Sequence, residues 1–584
     1  MATLSAIPGL HRPMEIKEKN RTWTSYALLA FVSVALSLAW ILPAHSSVTL
    51  NRVLAGSGYA DIAARVFPLQ DRNVLVSQPA ATDTELLSSN NRTDQVQWDG
   101  YSLFLLGQRI FILSGEFHTF RLPVPSLWPD ILQKVKAAGL NAISLYTHWG
   151  LINPRSTRPR ARRGVWIILR PGPYINAETT AGGIAHWVTS QVAGQLRTNA
   201  TDFHDSWQDY IQGVIKETVP YQITQGGPVI AIQIDNEYEQ SGFGDAEYFA
   251  ELEAAYHNSS IVVPLTYNDP GEGKNFINGT GAVDIYGLDS YPQGFDCSNP
   301  TRWAPVPTNW HDYHEDANPS QPFYFPEFQG GSFDAWGPTA PGYENCRELT
   351  GADFESVFYR SQWAANAKLI SYYMVYGGTS WGALPFGGVY TSYDYGSAIQ
   401  ENRDLTDKYT ELKRQGLFLR SSPEFYKTDW IGNSSTGAVN ISNSVAFAVL
   451  LRNPDTNASF YIARQTDSTS TATTTFTLTV DTSAGTIEVP QIASNITLGG
   501  RESKVIVTDY HFGENSTLLY STASVLFAGR IGSRDVVFLY GDGNQEHEAS
   551  LILQGPASIR AQSSLVSFSN TTGPQTVVTF LPGI

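Results

Sequence analysis

The chain has 584 residues and a formal net charge of −16, with 42% hydrophobic, 12% aromatic and 16% charged residues. Its length suits roughly two to four domains, and its apolar content suits a large core. The acidic balance excludes a nucleic-acid partner, which would require a basic face, and fits a soluble protein working in an acidic medium.

The first element is an export signal. Lys17, Lys19 and Arg21 precede an apolar run at residues 26–42, followed by Pro43, Ala44 and small polar residues. This order is that of a signal peptide over residues 1–46. The run is also at the short limit for a membrane span, so the alternative is an anchor with its basic side cytoplasmic. Asn-x-Ser/Thr sequons follow at Asn91, Asn199, Asn258, Asn278, Asn433, Asn440, Asn457, Asn495, Asn515 and Asn570. They predict a glycosylated, secreted protein, with membrane association only if the apolar run stays uncleaved. Cys297 and Cys346 are the only cysteines. In an exported chain such a pair reads as one disulfide, the alternative being two free buried thiols. No metal site is implied, because no Cys or His set has ligand spacing.

Residues 47–94 lack periodicity and read as a linker. From residue 95 apolar runs alternate with helical stretches. Strands are predicted at 109–114, 142–146, 165–169, 229–234, 285–288, 323–325 and 372–375, and an amphipathic helix at 128–138 that stops at Gly139. Continuous apolar strands with helices between them mean a parallel sheet covered on both faces. Residues 95–427 therefore read as a (β/α)8 barrel. Residues 428–584, rich in Thr, Ser and Val with alternating strands and turn residues, read as an all-β domain. The fold class is α/β barrel followed by all-β.

Two segments carry chemistry. In GGPVIAIQIDNEY (226–238) an apolar strand ends in Asn236 and Glu237. On a barrel the C-terminal strand ends face the active site. A carboxylate there can protonate a leaving oxygen, and the neighbouring Asn can bind a hydroxyl. In PFYFPEFQGGSFDAW (322–336) a short aromatic strand delivers Glu327 into a glycine-rich loop. Two carboxylates from two strand ends are what glycoside hydrolysis requires. The bland reading of either glutamate is a structural ion pair.

With these motifs in place the chain resembles glycoside hydrolase family 35, most of all its fungal members. The resemblance rests on GEFHTFRLPVPSLW (115–128), LYTHWG (145–150), LRPGPYINAE (169–178), GGPVIAIQIDNEY (226–238), DSYPQGFDC (289–297), FPEFQGGSFDAWG (325–337), YMVYGGTSWG (373–382) and TSYDYGSAI (391–399). It implies a retaining β-galactosidase acting as a monomer on β-galactoside oligosaccharides or polysaccharides, without a cofactor. Glu237 is then the acid/base and Glu327 the nucleophile, with carboxyl groups about 5–5.5 Å apart. Galactose-binding positions fall on Tyr146, Asn176, Ala177, Glu178, Asn236, Tyr291 and Tyr393, and Cys297–Cys346 matches a family disulfide. By their residue type alone, Glu178 equally suits a pair with Arg170, and the three tyrosines suit core positions. His118 and His148 read as pocket-wall or structural residues.

Three departures qualify the resemblance. Residues 155–163 hold Arg155, Arg158, Arg160, Arg162 and Arg163 around Pro159, with no apolar stripe, so they cannot cover a sheet as an amphipathic helix. The second barrel helix is expected to be lost, as a mis-spliced or frame-shifted gene model would produce. Each large apolar side chain thereby uncovered forfeits about 1.5–3 kcal/mol. The fungal pattern also continues past the second domain, where this sequence stops, and has an adjacent cysteine pair where residues 239–244 have none. The competing readings are a defunct galactose-binding relative and a β-glucosaminidase.

Overall fold

The computed structural model describes residues 87–151, 164–239, 245–337, 340–553, 565–570 and 575–581, all within one compact unit, Arg72–Ile584. The expected signal or anchor, most of the linker, and the arginine-rich segment where a barrel helix is expected to be lost lie outside the described residues, as do residues 240–244.

Eight parallel strands form the first layer: β1 (Ile112–Phe117), β2 (Ala142–Tyr146), β3 (Trp166–Gly172), β4 (Val229–Ile234), β5 (Leu265–Asp269), β6 (Ile285–Leu288), β7 (Tyr324–Gln329) and β8 (Leu369–Tyr376). Their order is β7-β8-β1-β2-β3-β4-β5-β6. The seam between β6 and β7 is spanned by Ser290, whose N–H donates to the Glu327 carbonyl at 3.1 Å and whose carbonyl accepts from Gln329 N–H at 3.0 Å. The ring is thus a nearly closed barrel. Strands β4 and β8 are buried at every position, as expected of a parallel sheet covered on both faces.

Helices supply that cover. Helix α1 (Trp128–Ala137) has Pro129 in its first turn and ends before Gly139, whose φ of 87° no β-substituted residue adopts readily. Helix α2 (His186–Gln191) is short, and α3 (Thr201–Thr218) buries Phe203, Trp207, Ile211 and Ile215, one stripe at four-residue spacing. From α3, the Tyr210 hydroxyl pairs with Thr147 Oγ1 at 2.9 Å and donates to the Pro171 carbonyl at 2.7 Å, while its ring stacks on Trp149. Helices α4 (Ala246–His257), α5 (Trp310–Ala317), α6 (Tyr343–Leu349) and α7 (Asp407–Ser421) follow. Asp245 caps α4 by accepting from Glu247 N–H, and Thr406 caps α7 by accepting from Tyr409 N–H. The β5–β6 connection, residues 270–284, carries no helix.

The structure redraws several predicted elements. The apolar run at 109–114 is two strands: Gln108–Ile110 closes a three-stranded antiparallel sheet with Val96–Trp98 and Leu103–Leu105, and β1 begins only at Ile112. Strand β5, sequence LTYND, went unpredicted because its last residues are polar. Strands β3 and β7 run past their apolar stretches through Arg170 and Glu327, so Glu327 lies inside a strand and not in the glycine-rich loop after it. The cause is shared: the C-terminal ends of barrel strands turn polar side chains inward, and hydropathy reads them as loop. The end of the predicted linker is fastened down, with Asn90 Nδ2 donating to the Val262 carbonyl at 3.0 Å and Arg92 to that of His257 at 2.7 Å.

From Asp429 onward the described residues are all β. An eight-stranded antiparallel sheet centres on Ser459–Gln465 and Ser503–Phe512, and smaller ribbons enclose a second core that includes Phe476, Leu478, Val480 and Leu498. It joins the barrel through Phe460, whose ring meets Phe418 and Phe425, and through Arg360, which donates to the Ser503 carbonyl at 3.2 Å and to Glu411 at 2.7 Å. No helix among the described residues is long and apolar enough to cross a membrane.

Candidate active site

The C-terminal ends of the barrel strands converge on two carboxylates. Glu327, in β7, is buried and accepts four side-chain hydrogen bonds. Tyr146 at the end of β2 and Asn268 in β5 donate to Oε1 at 2.6 and 3.2 Å, Tyr291 donates to Oε2 at 2.5 Å, and Arg170 of β3 forms an ion pair with Oε1. Arg170 also pairs with the buried Glu116 of β1 at 2.8 Å and donates to Asn236 Oδ1 at 2.6 Å. Asp289, immediately after β6, accepts from the Glu327 N–H at 2.9 Å and from Asn268 Nδ2 at 2.7 Å.

Glu237 faces this group from the turn after β4. Asn236 Nδ2 donates to its carboxylate at 3.1 Å, and its own N–H donates to Asn268 Oδ1 at 3.1 Å. One carboxylate oxygen from each of Glu237, Asp289 and Glu327 lies within 4.8 Å of the others. Such a triad has the spacing to share a cation, but Arg170 already brings a positive charge to the Glu327 oxygens. Burial, and then the charge of Glu327, push the Glu237 carboxyl up to about 8. Burial and the same neighbours hold Asp289 well above the ordinary carboxylate range.

The second part of the site is a strained turn. Asn176, Ala177 and Glu178 have φ of 50°, 51° and 47°, three successive left-handed residues with side chains. Each costs about 1–2 kcal/mol and persists only where its surroundings fix it. Arg121 supplies one clamp, donating to the Ala177 carbonyl at 2.6 Å and to Ser380 Oγ at 2.9 Å. The 383–386 segment supplies another: Thr180 N–H donates to the Leu384 carbonyl at 2.8 Å, and Phe386 N–H to that of Glu178 at 3.2 Å. The clamped turn presents the Glu178 carboxylate, which accepts from Tyr373 at 2.9 Å and from Tyr393. Burial raises Glu178, and the Tyr393 hydrogen bond opposes the shift.

All the predicted site positions gather here. Tyr146, Asn236, Glu237, Tyr291 and Glu327 share one hydrogen-bonded network. Glu178 and Tyr393 join it through Tyr373, whose ring lies 6.2 Å from Tyr146 and 6.3 Å from Tyr291. Asn176 and Ala177 form the turn itself. Glu178 does not pair with Arg170, whose ionic partners are Glu116 and Glu327. The tyrosines are buried or half-buried, yet each spends its hydroxyl on a site carboxylate. His118 lies in the wall, stacked on Phe120 and edge-on to Tyr146. Arg121 donates to its Nδ1 at 2.5 Å, which leaves the ring proton on Nε2, and burial keeps its pKa well below the usual value. His148 is a buried neighbour whose ring meets Phe120 edge-on. Cys297 and Cys346 form a disulfide.

Sequence reasoning passed over Asp289, Arg121, Arg170 as a partner of Glu327, Asn268 and Tyr373. Asp289 carried a usable signal, an acid directly after a predicted strand, as Glu237 is. The others act through contacts that only the fold creates.

Comparison with known proteins places this geometry. The profile of the glycosyl hydrolases family 35 matches residues 102–417, and that of β-galactosidase domain 2 matches residues 428–582. The chain is 40% identical over 506 residues to β-galactosidase A of Aspergillus niger, covering 83% of this chain and 50% of that protein. It is 40% identical over 502 residues to the probable β-galactosidase B of Sclerotinia sclerotiorum, covering 80% and 49%. The chain thus spans about half the length of the curated relatives it matches. Among solved structures, a β-D-glucuronidase of Dictyoglomus thermophilum aligns over 55% of this chain and 53% of its own at 14% identity, with a TM-score of 0.37, too shallow a likeness to bear on function. On the family profile, which spans the barrel that carries the site, the chain belongs to the glycosyl hydrolases family 35.

Proposed function

We propose that this protein is a retaining β-galactosidase that releases terminal non-reducing β-galactose from oligosaccharides or polysaccharides, with Glu327 as nucleophile and Glu237 as acid/base. The observation that carries the reading is the approach of the two carboxylates, with an oxygen of each inside 4.8 Å. That spacing suits direct attack on the anomeric carbon; inverting enzymes hold their carboxyl groups about 6.5–9.5 Å apart to admit a water.

The step is a double displacement. Glu327 attacks the anomeric carbon while Glu237 gives its proton to the departing glycosidic oxygen, leaving an ester between galactose and Glu327. Glu237, now a carboxylate, takes a proton from water, whose oxygen attacks the same carbon and frees Glu327. Four donors converge on Glu327 and fix its carboxyl group in place. Glu237 is protonated at neutral pH because it is buried beside the charge of Glu327. Once Glu327 is esterified the charge is gone and Glu237 becomes a readier base. Galactose is held by Tyr146, Asn176, Ala177, Glu178, Asn236, Tyr291 and Tyr393. The protein works outside the cell as a glycoprotein. Support comes from Asn91, Asn199, Asn258, Asn278, Asn440, Asn457, Asn495 and Asn515, sequon residues that are all exposed.

The test is hydrolysis of a chromogenic β-galactoside by the purified chain, side by side with the matching β-glucosaminide. Turnover of the galactoside that disappears in Glu327→Gln, with galactose binding retained, supports the reading. Preference for the glucosaminide, or unchanged rates in Glu327→Gln, overturns it.

A further inference from the structure

The turn that carries Glu237 is strained on both sides of Asn236: Asp235 has φ 51° and Glu237 φ 42°. Neither is glycine, so something outside the turn must hold it. The hydrogen bond from Glu237 N–H to Asn268 fixes its far end. At the near end Asp235 N–H donates to the Gly172 carbonyl at 3.2 Å, and one residue from a distant segment bonds both Asp235 and Asn236. Arg197, in the stretch leading into α3, donates from Nη2 to the Asn236 carbonyl at 2.5 Å and from Nε to Asp235 Oδ2 at 3.0 Å. Its guanidinium lies between two rings, 4.0 Å from the centroid of Tyr174 and 4.8 Å from that of Tyr238. Both rings belong to the same scaffold: Tyr174 N–H donates to Asp235 Oδ1 at 3.0 Å, and the Tyr238 hydroxyl donates to the Arg197 carbonyl. Arginine suits this place, because its planar fork reaches a carbonyl and a carboxylate at once while stacking on aromatic faces.

We infer that Arg197 is a positioning residue for proton donation: it locks the Asp235–Glu237 turn and thereby aims the Glu237 carboxyl at the glycosidic oxygen. The inference rests on the acid/base role proposed for Glu237. Arg197 does not touch the sugar in this scheme, and its effect passes entirely through the acid.

Leaving-group dependence tests it. A 2,4-dinitrophenyl galactoside departs without protonation, whereas a methyl galactoside or lactose needs the acid. The quantity to compare is kcat/KM, which ends at the first bond cleavage and excludes the later base step. Arg197→Met is expected to lose at least tenfold more kcat/KM on methyl galactoside than on the dinitrophenyl substrate, and Arg197→Lys to recover part of that difference. Asp235→Asn, which weakens the hold on Arg197 while keeping the turn's shape, is expected to show the same selectivity on a smaller scale and carries the test if Arg197→Met does not fold. Equal losses on both substrates in these variants, or none, would overturn the inference. Glu237→Gln measured in parallel separates the two levels. If it shows the leaving-group selectivity and the Arg197 and Asp235 variants do not, the positioning role alone falls. If Glu237→Gln itself shows none, the acid role and the inference fall together.

Discussion

The Arg121 guanidinium lies 3.5 Å from the ring centroid of Tyr393, and that tyrosine donates its hydroxyl to Glu178. One buried arginine therefore touches both halves of the pocket wall, the tyrosine and, through the Ala177 carbonyl, the strained turn that presents Glu178. Arg121→Met is expected to let that turn relax. Galactose affinity should fall by about 10- to 100-fold, which corresponds to roughly 1.4–2.7 kcal/mol, while the ion pair between Arg170 and Glu327 is untouched. Titration of galactose into the variant, followed calorimetrically, checks this. Unchanged affinity would show that the 383–386 segment suffices to hold the turn.

Tyr146 and Tyr291 each spend a hydroxyl on a different oxygen of Glu327. Neutral donors to a charged group contribute about 1.5–3 kcal/mol each. Tyr146→Phe and Tyr291→Phe should thus lower kcat on a β-galactoside by about 10- to 150-fold apiece. The double variant should lose less than the product of the two, because both donors act on one carboxylate. A double-mutant cycle on kcat measures the coupling.

The pH dependence follows from Glu237. Its carboxyl must be protonated to act as acid, and burial beside Glu327 puts its midpoint at about 8. For substrates that need protonation, kcat/KM should hold through neutrality and fall as pH rises past about 8. Stability carries the same sign. A carboxyl raised from its ordinary value of 4.5 adds stability that is fully present below 4.5 and lost as pH rises through 8. Glu237→Gln removes this group, so its thermal midpoint should decline less than that of the wild type between pH 5 and 8, a range set by these two values. Differential scanning calorimetry across that range reads the difference.

Much of this site was legible because barrel chemistry sits at strand ends. VIAIQI is apolar enough to be read as β4, and Glu237 follows from its end. Glu327 was found in the same way, although hydropathy ended β7 too early. That error is instructive: Tyr324–Gln329 is wholly buried, but its inward residues face the site and look like a loop. Strand β5 was hidden for a related reason: its last residues are buried polar groups, Asn268 turned inward to Glu327 and Asp269 bonded to Tyr286 of the next strand. Arg121, Arg197 and Tyr373 lay beyond reach because their roles consist of contacts with residues between 20 and 260 positions away. Pairing of the cysteines was readable from their number, since two cysteines either pair with each other or stay as free thiols, and they pair.

That pair yields a last prediction, about stability rather than chemistry. Cys297 follows β6 and Cys346 lies in α6, with a sequence separation of 49 that encloses all of β7 and hence Glu327. Closing a loop of that length restricts the unfolded chain by roughly 4 kcal/mol in the chain-entropy account. The position of Glu327 does not depend on the crosslink, since β7 is hydrogen-bonded to β8 on one side and to Ser290 on the other. The double substitution Cys297→Ala with Cys346→Ala is therefore expected to keep kcat/KM at 25 °C within a few-fold while markedly accelerating heat inactivation. Both half-cystines are buried, so a reducing agent should reproduce that acceleration only after partial unfolding admits it. Activity lost at 25 °C in parallel with stability would instead show that the crosslink sets the register of β7, and with it the place of Glu327.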